Sequence, residues 1–241
     1  MHSEPPGLHR EGAAAVIRLR RPREHNRLDP DDLDVIRRHL DTVLDEGEAR
    51  ALVLTGTGEQ TFSSGYTIQA IVQTLDGRFE KLLDVVEDFP LPTICALNGS
   101  VYGGATDLAL CCDFRIGVRG SRMFMPAAKF GLHYYPGGLR RYTTQLGPTQ
   151  AKRLFLTAQT IADEEMLRIG FLTELVDRDE LAPTVSRYVE AIGACEPQAV
   201  RSMKRQMNAI AGNAPDAAAE RDDYERSLRS EELARRVGAI A

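Results

Sequence analysis

The first chemical signal in this sequence is two glycines and an aspartate at short spacing: Gly103, Gly104 and Asp107, within N-G-S-V-Y-G-G-A-T-D at 98–107. An apolar run at 92–97 reaches a turn at Asn98-Gly99. A small-residue loop at 100–105 then opens into a short apolar helix with Asp107 in its first turn. The first N–H groups of a helix have no partner inside it, and the aligned peptide dipoles add partial positive charge there. Glycines carry no Cβ, so a ligand oxygen can approach their amides closely. Amides placed in this way form an oxyanion site, with a carboxylate three residues beyond. A structural reading competes with it. Gly-Gly after a strand also makes a tight packing turn, and an acid in a first helical turn stabilises the dipole.

A second stretch, 52–71, shifts the balance. A buried strand at 51–55 leads through a polar turn to Phe62-Ser63-Ser64-Gly65-Tyr66. Together the two stretches resemble the crotonase superfamily, that of enoyl-CoA hydratases and isomerases. In that family an F-x-x-G-x-D element supplies one oxyanion N–H, from the residue after its glycine. An N-G-x-x-x-G-G element supplies the other, from its second glycine. The resemblance implies that the donors here are the amides of Tyr66 and Gly104. It extends over Arg21-Pro22 to Asn26, 92–118, Lys129-Phe130-Gly131 and 152–175. The implied substrate is an acyl-CoA thioester, with coenzyme A present as part of it and no covalently bound cofactor. Two such donors stabilise the oxyanion that forms on the thioester, and losing one costs roughly 3 kcal/mol.

The acid–base groups depart from the hydratase pattern. Adding water across a conjugated double bond calls for one group to deprotonate the water and another to protonate the α-carbon. Hydratases of the family place glutamates at the positions of Asp107 and Ala127; here one is a methylene shorter and the other cannot carry a proton. Tyr66 is larger than the small residue common in hydratases, and Thr67 replaces an Asp. Hydration by two carboxylates is therefore disfavoured. One carboxylate suffices for a double-bond isomerisation, and decarboxylation needs none. Methylmalonyl-CoA decarboxylases and their relatives share N-G-S-V-x-G-G-A-x before an acid and a G-x-x-Y matching Gly131 to Tyr134. By that likeness Tyr134 orients a substrate carboxylate, with neighbouring His133 as an alternative polar contact. Those relatives carry a histidine where Tyr66 stands. Tyr135 reads as a core filler. The resemblance also seats coenzyme A near Asn26, Ser63, Ser64 and Gly65, with Gly103 at the thioester; Arg21, Arg23 and Arg27 supply nearby charge for its phosphates, or equally form a solvated surface cluster. The catalytic set is then Tyr66, Gly104, Asp107 and Tyr134, acting through an enolate. Decarboxylation and a non-catalytic CoA-binding role are the alternatives.

Positioning such groups requires a sizeable core, and 241 residues with 43% hydrophobic and 27% charged content can build one. The net charge of -5 argues against nucleic acid as a partner, since phosphate neutralisation needs a basic surface. Cys95, Cys111, Cys112 and Cys195 sit in apolar segments without metal-ligand spacing, which reads as buried free thiols and no metal site. No apolar run reaches membrane-spanning length and the first residues lack a signal-peptide core, so the expected location is cytoplasmic, away from membranes. Asp29-Pro30-Asp31-Asp32 predicts a helix start, with Leu33, Ile36, Leu40, Val43 and Leu44 as its apolar stripe. Further helices are predicted near 76–87, 148–156, 162–170, 179–193, 197–211 and from 217 onward, and strands at 13–20, 51–55, 93–97, 114–118 and 172–176. This alternation predicts an α/β fold. The resemblance adds the topology: a crotonase-like spiral of ββα units over residues 1–195 and a C-terminal helical oligomerisation region at 196–241. A homo-oligomer, a trimer or a dimer of trimers, follows from the same likeness.

Overall fold

The structure is a computed structural model that describes residues 3–67 and 77–238. It begins with a hairpin, β1 (Glu4–Glu11) and β2 (Ala14–Arg20), paired antiparallel. Helix α1 (Pro30–Glu46) follows, and its ends obey local chemistry. Asp29 and Asp32 form a capping box, Pro30 fills the first position, and Gly47 closes the last turn at φ 67°. Leu33, Ile36, Leu40 and Val43 are buried, whereas Leu44, expected in the same stripe, is exposed.

From there the chain repeats one manoeuvre. Strands β3 (Ala51–Gly56) and β4 (Thr61–Ser63) lead to helix α2 (Arg78–Glu87). Next, β5 (Thr93–Leu97) and β6 (Ser100–Tyr102) lead to α3 (Gly104–Leu110). Then β7 (Phe114–Val118) and β8 (Arg122–Phe124) lead to α4 (Pro136–Leu146). The first strand of each turn joins one parallel stack, β3-β5-β7, and the second joins another, β4-β6-β8. Beyond α4 come α5 (Pro148–Thr157), β9 (Ile161–Ala162), α6 (Asp163–Arg168) and β10 (Glu174–Val176). The two sheets are then complete, in the orders β1-β2-β3-β5-β7-β10 and β4-β6-β8-β9. The result is a spiral of ββα turns.

Both faces of the larger sheet are covered, which explains its near-continuous apolar strands. Ile17, Leu52, Leu54 and Cys95 face the main core; Val16, Ala51, Val53 and Ile94 face a second core under α7 (Leu181–Ala194), closed by Val189. Among the described residues three helices follow: α8 (Pro197–Ala211), α9 (Ala217–Leu228) and α10 (Glu231–Gly238). Helix α8 is pinned by Lys204, which is buried and donates to Asp113 at 2.7 Å and to the Leu91 carbonyl at 3.0 Å. Cys195, read as buried from its apolar neighbours, is exposed beyond the end of α7.

Candidate functional site

The junction between β4 and the start of α3 brings the two predicted loops together. Gly65 has φ 86°, and a Cβ built on it would lie 2.8 Å from the Gly104 amide nitrogen and 2.8 Å from the Tyr102 carbonyl. Any side chain at 65 would force the loops apart. Gly103 turns β6 into α3 with φ 55° and ψ -134°, a conformation essentially reserved for glycine. A Cβ on Gly104 would meet the Phe79 ring at 2.7 Å, so the helix can start against that ring only without a side chain there.

Both amides at this junction are left open. Tyr66 forms an isolated parallel bridge with Leu28, in which Leu28 donates to the Gly65 carbonyl and accepts from Thr67. The amide of Tyr66 itself therefore points away from Leu28. Gly104 begins a helix, where no internal acceptor exists. Among the described residues neither N–H has a protein acceptor. The loops that carry these two amides touch at Gly65 and Gly104.

Asp107 lies one turn along α3 and is fully buried. Its carboxylate is held by Arg141, whose Nε donates to Oδ1 at 2.9 Å and whose Nη2 donates to Oδ2 at 3.1 Å. Tyr134 donates its hydroxyl to Oδ2 at 3.2 Å, and Tyr135 donates to the same oxygen. Three of these donors crowd Oδ2, which has two lone pairs, while Oδ1 accepts from Arg141. Neither sequence reading of Asp107, free acid–base group or dipole stabiliser, included this clamp. Arg141 also donates to Asp84 at 3.1 Å and Glu87 at 2.9 Å, and Arg140 pairs with Glu87 at 2.5 Å. Burial opposes the charge on Arg141, but the Asp107 hydrogen bonds outweigh it and hold the guanidinium above its ordinary range. Burial and then the Asp107 charge push both tyrosine hydroxyls well above the usual phenol range, so they stay neutral donors. Gly138 makes the cluster possible: a Cβ there would overlap the Tyr134 ring and lie 2.8 Å from Asp107 Oδ2.

An aromatic chain links this cluster to the open amides. Tyr66 packs on Phe79 with centroids 5.5 Å apart, Phe79 meets Tyr135 edge-on at 6.3 Å, and Tyr135 stacks on Tyr134 at 4.3 Å. Tyr135 is half-buried, with its hydroxyl on Asp107, rather than a plain core filler. Tyr134, expected to orient a substrate carboxylate, places its hydroxyl 3.2 Å from both Asp107 Oδ2 and the Tyr135 oxygen. His133 is exposed, with no hydrogen bond among the described residues, so it adds nothing to the cluster. Arg141, Phe79 and Gly138 were not singled out from the sequence. Arg141 stands beside Arg140 in a helix with no strong pattern, and nothing in the string marks one of the pair as buried.

The predicted coenzyme side is mixed. The side chain of Asn26 is spent on the protein: it accepts from the Arg21 amide at 3.0 Å and donates to the Thr57 and Thr61 carbonyls, both at 2.9 Å. Ser63 is buried and donates to the Asn26 carbonyl at 2.7 Å while accepting from the Gly65 amide at 3.1 Å. These two residues shape the loop instead of offering side chains to a ligand. Arg21 is tied to Asp32, and Arg27 to Glu24 and Asp29 at 2.8 and 2.9 Å. Burial opposes ionisation of Asp29, yet the hydroxyl of Thr67 and the charge of Arg27 hold it below the ordinary carboxylate range. Ser64 is half-buried and its amide donates to the His25 carbonyl. Arg23 is exposed and forms no ion pair among the described residues, leaving it the freest cation of the three. The described residues hold no cluster suited to a metal ion, and no helix among them is long and apolar enough to cross a membrane.

A ββα spiral with two open amides at its loop junction defines a crotonase-like protein, and comparison with known proteins agrees. The profile of the enoyl-CoA hydratase/isomerase family matches residues 9–233. The short-chain-enoyl-CoA hydratase of Clostridium acetobutylicum is 32% identical over 208 residues, 83% of this chain and 80% of that protein. The crotonyl-CoA hydratase of Syntrophomonas wolfei is 32% identical over 209 residues, with the same two coverages of 83% and 80%. Among solved structures, an enoyl-CoA hydratase from Bacillus anthracis superposes with a TM-score of 0.90 over 98% of this chain and 96% of its own, at 24% identity, a likeness of fold. The chain belongs to the enoyl-CoA hydratase/isomerase family, whose members act on acyl-CoA thioesters.

Proposed function

We propose that this chain is an acyl-CoA enzyme that forms an enolate at its thioester, with the oxygen held by the amides of Tyr66 and Gly104. Support comes chiefly from one observation: Gly65 and Gly104 meet, and among the described residues neither the Tyr66 nor the Gly104 N–H has a protein acceptor. Donors fixed in place before the reaction need no reorganisation as charge develops, which is why such sites lower barriers. Coenzyme A enters as part of the substrate, past Ser64 and Arg23.

The relatives' names point to hydration, but Ala127 is a buried methyl group where a second proton carrier would be needed. Asp107 is a carboxylate one helical turn from the Gly104 amide, so the reaction we favour moves a single proton, as in shifting a double bond along the acyl chain. For that step Tyr135 must turn its hydroxyl away from Oδ2. Decarboxylation is less well supported, because the hydroxyl of Tyr134 serves Asp107.

Purified protein given crotonyl-CoA, a 3-enoyl-CoA and methylmalonyl-CoA separates these reactions. The expected result is turnover of the 3-enoyl-CoA, lost on the order of a hundred-fold or more in Asp107→Asn. Coenzyme A binding with no turnover of any thioester would leave a non-catalytic binding protein.

A further inference from the structure

The clamp on Asp107 has consequences for which acyl groups the site accepts. Asp107 lies three residues beyond Gly104 on the same helix, and residues at that spacing share a face. The Phe79 ring lies against the Gly104 position and also meets the Tyr135 ring edge-on. The half-buried Tyr135 thus borders the space that an acyl group enters once its carbonyl reaches the amides.

We propose that Arg141 is a positioning residue that sets acyl selectivity: by clamping both oxygens of Asp107 it fixes the direction of two tyrosine hydroxyls, and the site rejects acyl groups that carry a second carboxylate. This rests on the thioester reading above. An ionised carboxylate accepts and never donates. With Arg141 on both its oxygens, Asp107 draws the Tyr135 proton inward in the resting site, where an arriving acyl group meets it, so Tyr135 shows the acyl space its lone pairs. Tyr134 has one proton and shares it between Asp107 Oδ2 and the Tyr135 oxygen, both at 3.2 Å. A substrate carboxylate therefore finds acceptors facing acceptors. The surrounding charge acts in the same direction. Arg141 is committed to Asp107, Asp84 and Glu87, and Arg140 to Glu87, so neither guanidinium is spare for a substrate carboxylate. An uncharged alkyl group meets none of this opposition.

Isobutyryl-CoA and methylmalonyl-CoA differ by one methyl exchanged for a carboxylate, so the ratio of their dissociation constants, measured by titration calorimetry on the full chain, reads the selectivity directly. The wild type is expected to bind isobutyryl-CoA at least tenfold tighter. In Asp107→Asn the amide can donate to Tyr135 and turn its proton outward, and the ratio should fall to within threefold of one. Arg141→Lys, which keeps the charge but cannot span both oxygens, should lower the ratio at least threefold. A merely structural role would weaken both ligands together and leave the ratio in place. Tyr135→Phe removes only a hydroxyl and also lowers the ratio, so the test stands even if the buried ion-pair variants do not fold. Equal or tighter binding of methylmalonyl-CoA by the wild type overturns the proposal while the thioester reading survives. So does an unchanged ratio in Tyr135→Phe. Failure of the wild type to bind either thioester overturns both.

Discussion

Gly104 answers two demands at once: it opens α3 with an N–H that has no acceptor among the described residues, and it leaves room for the Phe79 ring. Gly104→Ala is therefore expected to push Phe79 and the amide out of place, lowering thioester turnover roughly a hundred-fold with the fold intact by circular dichroism. Unchanged kcat/KM in that variant would contradict the placement of the oxyanion donor. This part of the site was legible in the sequence because each glycine's conformational demand is written in its identity. Arg141 was not legible for the opposite reason. Its burial depends on carboxylates from two other helices, Asp84 and Glu87 from α2 and Asp107 from α3, converging after the chain has folded. The internal bonds of Asn26 and Ser63 were hidden for a related reason. Their motif positions were clear, but their polar atoms turned inward to brace the loop.

At the scale of elements, strongly patterned segments were the easy ones. The predicted helix at 197–211 matches α8, and the predicted strand at 93–97 matches β5. The short strands β4, β6, β8 and β9, of two or three residues each, are too brief to show a period. Helix α4, which carries Arg141, went unpredicted because Gly137, Gly138, Thr143 and Thr144 all weaken helix propensity. Two predictions belong to this scale. Lys204→Met removes the cation that joins α8 to Asp113 and leaves a mostly buried carboxylate unpaired; an expected loss of about 3 kcal/mol can be read from urea unfolding. A shift under 1 kcal/mol would show that α8 is held by other contacts. Asp88, just past α2, has its carboxyl raised by burial and by Glu87 and Asp84. A raised carboxyl stabilises the fold when protonated and loses that contribution as pH climbs through its folded value. Asp88→Asn should therefore raise Tm by about 1–4 °C at neutral pH, with the gain vanishing in acid below the ordinary aspartate value of 3.8. A gain of equal size at both pH values would rule out titration as its cause.

For the molecule as a whole, the covered spiral was foreseen from strand–helix alternation together with family likeness. Alternation alone gave only the α/β class, since a split between two sheets is not visible in periodicity. The C-terminal region ends with an unfinished surface: Met203, Met207 and Ile210 of α8 are exposed at 53%, 62% and 60%. We take this face as a contact between copies, in a trimer or a dimer of trimers. Light scattering should give a multiple of the 26.7 kDa chain mass, reduced by joint Met207→Glu and Ile210→Asp substitution. A monomeric wild type would contradict that assignment. The central claim, that two distant amides serve one oxygen, is tested most directly by a crystal structure with an acyl-CoA bound. The account predicts the thioester oxygen within about 3 Å of both the Tyr66 and Gly104 nitrogens. A thioester carbonyl turned away from either amide in a catalytically competent crystal would contradict it.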